Sequence, residues 1–252
     1  MHRETGEFIL KTLVNLEFVA KDAVKAVQRG DVIVVIDVLR CSSTIIVALT
    51  NGAKSIIPIE TVEEARGYRR DHPGFILAGE RKGLKPEGFD LGNSPLEFSS
   101  EKVGGKHIVL TTTSGTRAIS RAREAKWILI GAFLNAEAVA DAALKLAEKE
   151  HSGVSLVLAG KKGRFSLEDF LCAGAVANYF PADGVEFFDG ASAAVLAFQQ
   201  ARNSLEEAVQ RGGHAQYLKK RGLREDVKFC SQMNVFRVVP VFKGGKIVPL
   251  EG

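Results

Sequence analysis

Cysteine is scarce in this chain: Cys41, Cys172 and Cys230 are the only three among 252 residues. Three thiols cannot all pair, and their spacings fit no zinc pattern. A chain of this length can bury a sizeable core without disulfide staples. Reduced thiols in a cytoplasmic protein are therefore expected. No apolar run reaches membrane-spanning length, so no membrane partner is expected. The opening residues Met1-His2-Arg3-Glu4-Thr5 include an acid and no signal-peptide core. Charge of one sign is also lacking: 34 Lys and Arg against 30 Asp and Glu leave a formal +4. The short basic clusters Arg69-Arg70, Lys161-Lys162 and Lys219-Lys220-Arg221 carry no interleaved aromatics. They read as solvated faces, which argues against a nucleic-acid partner. Neither Gly-x4-Gly-Lys-Ser/Thr nor Gly-x-Gly-x-x-Gly follows a strand, so nucleotide-binding loops are not indicated.

What is present is an ordinary globular composition, 46% hydrophobic and 25% charged. Strands alternate with helices along the chain, which predicts an α/β fold of three-layer αβα type. No linker or low-complexity segment divides residues 1–252. They read as a single α/β domain, with two closely packed halves meeting at a crevice as the other division.

The organising stretch is Val32-Ile33-Val34-Val35-Ile36-Asp37-Val38-Leu39-Arg40-Cys41-Ser42-Ser43-Thr44. Its β-branched run predicts a strand buried on both faces. Asp37 sits at the strand's carboxyl end, and a helical pattern follows from Thr44 to Thr50. Ligands of open α/β sheets bind outside the carboxyl ends of the strands. A helix N-terminus attracts anions. The stretch thus gathers a carboxylate, a guanidinium and three hydroxyls where a phosphate would be held.

Other predicted strand exits repeat this logic. Glu80-Arg81 follows the strand 75–79. Thr111-Thr112-Thr113-Ser114-Gly115-Thr116 follows 107–112, and Gly160 to Asp169 follows 154–160. Thr61 and Glu64 have capping-box spacing. Residues 82–101 lack regular pattern, but Phe89, Leu91, Leu96 and Phe98 argue against disorder, so an ordered active-site loop is expected. Asp37, Glu80, Asp90 and Asp169 are more acids than phosphate binding needs. A cation such as Mg²⁺ reconciles carboxylates with a phosphate by bridging their oxygens. Cys41 lies near a helix N-terminus, but Val47 stands where a Cys-x5-Arg phosphatase has arginine, so a passive thiol is expected. Leu39 stands where haloacid-dehalogenase-type phosphatases have a second Asp. His72, His107, His151 and His214 show no metal-ligand spacing, and His214 reads as a surface histidine.

Several stretches together resemble one family: Asp37-Val38-Leu39-Arg40 with Ser43-Thr44 and Asn51-Gly52-Ala53; Gly79-Glu80-Arg81; Gly88-Phe89-Asp90-Leu91-Gly92-Asn93-Ser94-Pro95; Thr111 to Thr116; Glu168-Asp169 with Cys172-Ala173-Gly174; and Leu218, Gly222 and Asp226. Their order and spacing are similar to the 2-phosphosulfolactate phosphatase family, the ComB-like proteins of coenzyme M biosynthesis. The resemblance runs from about the second strand almost to the end. It implies a ComB-like α/β fold and a Mg²⁺-dependent acid phosphatase that converts 2-phosphosulfolactate to sulfolactate and phosphate. The family usually has Ala where Cys41 stands, and often Asn where Ser114 stands.

The resulting expectations are specific. Asp37 is the essential carboxylate, as metal ligand or nucleophile. Arg40 and Arg81 clamp the phosphate or another substrate anion. Glu80, Asp90 and Asp169 bind metal, with Glu80 and Asp169 also candidates for proton transfer. Ser43, Thr44, Asn93, Ser94, Thr112, Thr113, Ser114, Gly115 and Thr116 supply donors. The expected partner is a small anionic phosphorylated substrate, with a homodimer as the assembly to test. The competing readings are a non-catalytic module that senses a phosphorylated metabolite, and a phosphatase of a different small phospho-acid.

Overall fold

The computed structural model describes residues 11–251, so the reading of the first ten residues falls outside the described part. Ten strands form one mixed sheet with helices on both faces, the three-layer αβα arrangement. In chain order, β1 is Thr12–Glu17, α1 Ala23–Arg29, β2 Val32–Ile36, α2 Cys41–Thr50, β3 Ser55–Ile59, α3 Val62–Asp71 and β4 Ile76–Gly79. Then come α4 Ser100–Val103, β5 His107–Thr111, α5 Gly115–Ala122, β6 Ile128–Gly131, α6 Ala136–Glu150 and β7 Val154–Leu158. The rest is α7 Leu167–Ala177, β8 Val185–Phe187, α8 Asp189–Ala201, α9 Leu205–Gln210, α10 Gly213–Lys219, α11 Arg224–Cys230 and the hairpin β9 Pro240–Lys243 with β10 Lys246–Pro249. Among the described residues no helix is long and apolar enough to cross a membrane.

β2 is buried along its whole length. Its period of two sorts its side chains. Val32, Val34 and Ile36 join the core formed with α6, α7 and α8, while Ile33 and Val35 join that formed with α1, α2 and α5. Full burial of each such side chain contributes about 1.5–3 kcal/mol, so the run anchors the sheet. The Thr61 capping box is present: Thr61 Oγ1 accepts from the Glu64 amide at 3.1 Å and Glu64 Oε2 from the Thr61 amide at 3.2 Å. α2 begins at Cys41, earlier than its apolar pattern indicates, because polar Ser42 and Ser43 are buried in its first turn. The strand β8 and the helix α11 are too short to show a period, and the sequence reading missed both.

The strand order is β4-β5-β3-β10-β9-β6-β2-β7-β1-β8. The block β4-β5-β3 is parallel, and so is β6-β2-β7-β1-β8. The antiparallel hairpin joins them, pairing Ile247 with Ile56 on one side and Val241 with Leu129 on the other. Counted through that hairpin, the two blocks run in opposite senses. Each junction is a single residue pair, so it imposes little on how the blocks are angled. The carboxyl ends of β2 and β7 and those of β4 and β5 open onto one crevice.

The long loop after β4 is ordered by backbone bonds. The amides of Asp90 and Leu91 donate to the Leu77 carbonyl, and the Gly79 amide reaches the Gly92 carbonyl at 3.1 Å. Phe89, Leu91 and Phe98 are buried, while Leu96 is exposed. Gly79 has φ +148°, and a Cβ there would meet the Thr111 carbonyl oxygen, so only glycine lets β4 exit beside β5.

Candidate active site

The crevice is a cavity of about 920 Å³. Asp37, Leu39 and Arg40 enter it from the exit of β2, and Gly160, Lys161, Lys162 and the stretch from Arg164 to Asp169 from that of β7. The other block contributes Glu80 to Gly83 after β4, Asn93 from the long loop, and Thr112 to Ser114 after β5. Gly213, His214 and Tyr217 of α10 complete the wall.

Four carboxylates lie on its floor. Asp37 is 7% exposed, and its Oδ1 accepts from the Cys41 amide at 3.3 Å. Burial raises its pKa from 3.8 to about 6, helped by Glu80 and Glu168 and opposed by His214 and the Cys41 amide. Asp169 ties two strand exits together. Its Oδ1 accepts from the Val38 amide at 2.9 Å and its Oδ2 from the Gly160 amide at 3.1 Å. Burial, then the charges of Glu168 and Asp37, push this carboxyl well above its ordinary range. Glu168 lies beside His214, with Oε1 3.3 Å from Nδ1. Burial works to raise the Glu168 pKa, but the hydrogen bond and charge of His214, joined by smaller local hydrogen bonds, hold the carboxyl below its usual value.

Glu80 holds loops together. Its Oε1 accepts from the amide and hydroxyl of Thr113 at 2.8 and 2.6 Å, and its Oε2 from the Gly83 amide at 2.7 Å. Burial opposes ionisation, yet these bonds and Arg40 keep the carboxyl below its usual pKa.

Both candidate clamp arginines are engaged with protein. Arg40 donates to Asp226 at 2.6 Å and to the Gly83 carbonyl at 2.9 Å. Arg81 donates to the carbonyls of Glu80 and Glu60 and to the Thr111 hydroxyl. Both still border the cavity.

Of the predicted donors, Asn93, Thr112, Thr113 and Ser114 reach the crevice. The others do not line it. Ser43 Oγ donates to the Val38 carbonyl, Thr44 Oγ1 to the Asn93 carbonyl and Ser94 Oγ to Asp226. Thr116 Oγ1 donates to the Thr112 carbonyl. These hydroxyls build the loops around the site. Gly115 is a packing requirement: a Cβ there would lie 2.5 Å from Cys41 Cβ and 2.8 Å from Asp37 Oδ2. Asp90 is the clearest departure from expectation. It lies away from the crevice, where it accepts hydrogen bonds from Arg69 and from the Leu77 amide.

Glu168, named above only within the family resemblance, and His214, expected as a surface histidine, both line the cavity. The adjacency of Glu168 to Asp169 was the available signal. Lys161 and Lys162 read as a solvated cluster, but the ring of Tyr217 lies 3.9 Å below Lys161 Nζ. That contact spans 56 residues and leaves no local trace. Cys41 is buried, and burial together with Asp37 pushes its thiol well above the usual pKa, which supports a passive role.

A family model described as 2-phosphosulpholactate phosphatase matches residues 18–245. The chain belongs to this family. A relative from Thermotoga petrophila is 46% identical over 215 residues, covering 85% of this chain and 90% of its own. One from Clostridium beijerinckii is 39% identical over 232 residues, covering 90% and 95%. One from Clostridium perfringens is 37% identical over 247 residues, covering 96% of each. All three are named "Probable 2-phosphosulfolactate phosphatase". The family match includes every residue placed at the crevice above.

The donor set can be tested against the cation that the family reading implies. Among the described residues, no three His, Cys, Asp or Glu side chains are grouped to hold a metal alone. Mg²⁺ does not require such a cage, since it keeps several waters and takes one or two carboxylates. Three buried oxygens at the crevice lack any hydrogen-bond partner: Asn93 Oδ1, Glu168 Oε2 and Ser166 Oγ. Buried polar atoms are normally satisfied. Unpartnered oxygens in the same cavity as Asp37 suit a hard, hydrated cation.

Proposed function

We propose that this protein is a Mg²⁺-dependent phosphatase that hydrolyses 2-phosphosulfolactate to sulfolactate and phosphate. The observation that carries the reading is the oxygen-rich floor, where Asp37 shares the cavity with unpartnered oxygens of Asn93 and Glu168. The names of the relatives support the substrate, and the buried free thiols fit a reducing cytoplasm.

Asp37 and Glu168 would hold the cation, with the amide oxygen of Asn93 as a neutral ligand. Bound there, Mg²⁺ supplies charge that offsets the carboxylates and draws electron density from the phosphoryl oxygens. The chain's own residues do the rest. The amides of Val38 and Gly160 fix Asp169, so the floor keeps its shape as charge moves through it. Glu80 fixes the Thr113 backbone, which aims the Thr112–Ser114 turn at the cavity. Arg40 and Arg81 place positive charge at the edge without leaving their protein partners. Asp37 presents its free oxygen either to the metal or to phosphorus.

The test is a phosphate-release screen over small phosphorylated carboxylic acids that includes 2-phosphosulfolactate, with Mg²⁺ and with EDTA. The reading expects release from 2-phosphosulfolactate that EDTA abolishes and added Mg²⁺ restores. Preference for another phospho-acid would move the substrate and keep the reaction. Binding without release from any ester would favour a sensing module.

A further inference from the structure

Two exits of the sheet are built alike. After β4 the chain turns at Lys82-Gly83, and after β7 at Lys162-Gly163. In the first turn Arg81 and Leu84 exchange backbone hydrogen bonds of 2.9 and 3.1 Å; in the second, Lys161 and Arg164 exchange bonds of 2.9 and 3.0 Å. Both central residues of each turn have positive φ, +54° and +81° in one, +52° and +71° in the other. These are the signs of a type I′ turn, whose first central position favours Asn, Asp or Gly. Each turn has a lysine there instead. A strained residue held in place by its surroundings points toward function. Here it occurs twice, once in each block, and both lysines line the same cavity.

α10 ties the two turns together. Tyr217 Oη and Arg221 Nε donate to the Lys82 carbonyl at 2.8 and 3.0 Å. The ring of the same tyrosine carries Lys161 Nζ at 3.9 Å. The rim is therefore organised by packing.

Charge is partitioned within the cavity. Acids occupy the floor, and Arg40 and Arg81 are bonded to protein. Among the described residues, Lys82, Lys161, Lys162 and Arg164 form no salt bridge. A phosphate held on the floor would leave these cations facing the rest of the substrate.

We infer that Lys82 and Lys162 are specificity-determining residues, forming with Lys161 a subsite for a second acidic group carried by the phosphoester. The inference rests on the phosphatase reading for what occupies the floor. The group it selects is an oxyanion, carboxylate or sulfonate, a few bonds from the phosphoester oxygen. A neutral alkyl substituent gains nothing there, and ammonium groups left unpaired reject it.

The double variant K82N/K162N tests this. Asn is a preferred residue at the left-handed position, so the turns keep their shape while losing both charges. The readout is the ratio of kcat/KM for phospholactate to that for isopropyl phosphate, which differ in one carboxylate. The ratio is expected to fall about tenfold in the variant, the scale of losing charge-assisted contacts. An unchanged ratio overturns the inference. A second arm needs no turnover: calorimetric binding of sulfoacetate and of malonate to the full chain. Weaker binding of either to the variant supports the subsite, and comparing the two separates sulfonate from carboxylate preference. Equal binding to both proteins overturns it. Absence of phosphate release from every ester would defeat the phosphatase reading, and the binding arm would still decide on the subsite. Should the double variant fold poorly, K162N alone is carried through both arms.

Discussion

Arg40 and Asp226 stand 186 positions apart in the chain, and their charged atoms meet at 2.6 Å with both side chains buried. The second oxygen of Asp226 accepts from Ser94 at 2.7 Å. Arg40 is therefore paired through α11 and the long loop, and Asp37 is free of it. Breaking a buried pair from one side strands a charge and costs about 3–5 kcal/mol. Asp226→Ala should lose stability on that scale in denaturant unfolding. Arg40→Lys should lose stability and turnover together, because a single nitrogen replaces the two that reach Asp226 and the Gly83 carbonyl separately. Near-wild-type unfolding of Asp226→Ala would show that the pair does not hold α11 to the site.

Gly115 and Cys41 give opposite expectations at one contact. Cys41→Ala removes a buried thiol held far above its usual pKa, so turnover should survive. A fall of about a thousandfold with the fold intact would mean that the thiol does chemistry. Gly115→Ala adds a methyl against Cys41 and Asp37, so it should cost activity well beyond its small change in volume. Phosphate release and circular dichroism on both variants check the pair.

Asp37 sets a pH dependence of stability. Its folded pKa of about 6 lies above the ordinary 3.8. Folding therefore favours its protonated form. That stability is fully present below about pH 4 and is lost as pH rises through about 6. Asp169 is shifted in the same direction, also by burial. In EDTA, Asp37→Asn should match wild type near pH 4 and exceed it at pH 8 in denaturant unfolding. A variant less stable than wild type at pH 8 would mean that the carboxylate is stabilised by its surroundings.

Much of this site was legible because strand exits carry local signals. The β-branched run of β2 and the acid after it fixed where Asp37 would lie, and the Gly-Glu-Arg exit did the same for Glu80. Asp90 shows the limit. It sits in the long loop after β4, yet its carboxylate accepts from the Leu77 amide of β4 and meets Arg69 from α3. Nothing in sequence tells such an acid from one that faces the cavity. His214, Lys161 and Tyr217 were missed for the converse reason. Their roles depend on α10 crossing the crevice, a packing event with no period to read. The place of the hairpin β9–β10 between two oppositely directed blocks could not be read, because strand order is a long-range property.

Cation binding should be visible without turnover. The floor acids repel one another, so Mg²⁺ should raise the Tm of the wild-type protein near pH 8. Glu168→Gln should reduce that increment. No shift at millimolar Mg²⁺ would count against a resident cation at these carboxylates.

Phosphate release from 2-phosphosulfolactate by wild type and Asp37→Asn, compared in Mg²⁺ at equal folded protein, tests the central claim most directly. The account predicts steady release by wild type and a loss of at least ~10³-fold in the variant, the scale of removing an electrostatic partner of the transition state. Comparable release by both proteins would contradict it and remove Asp37 from the chemistry.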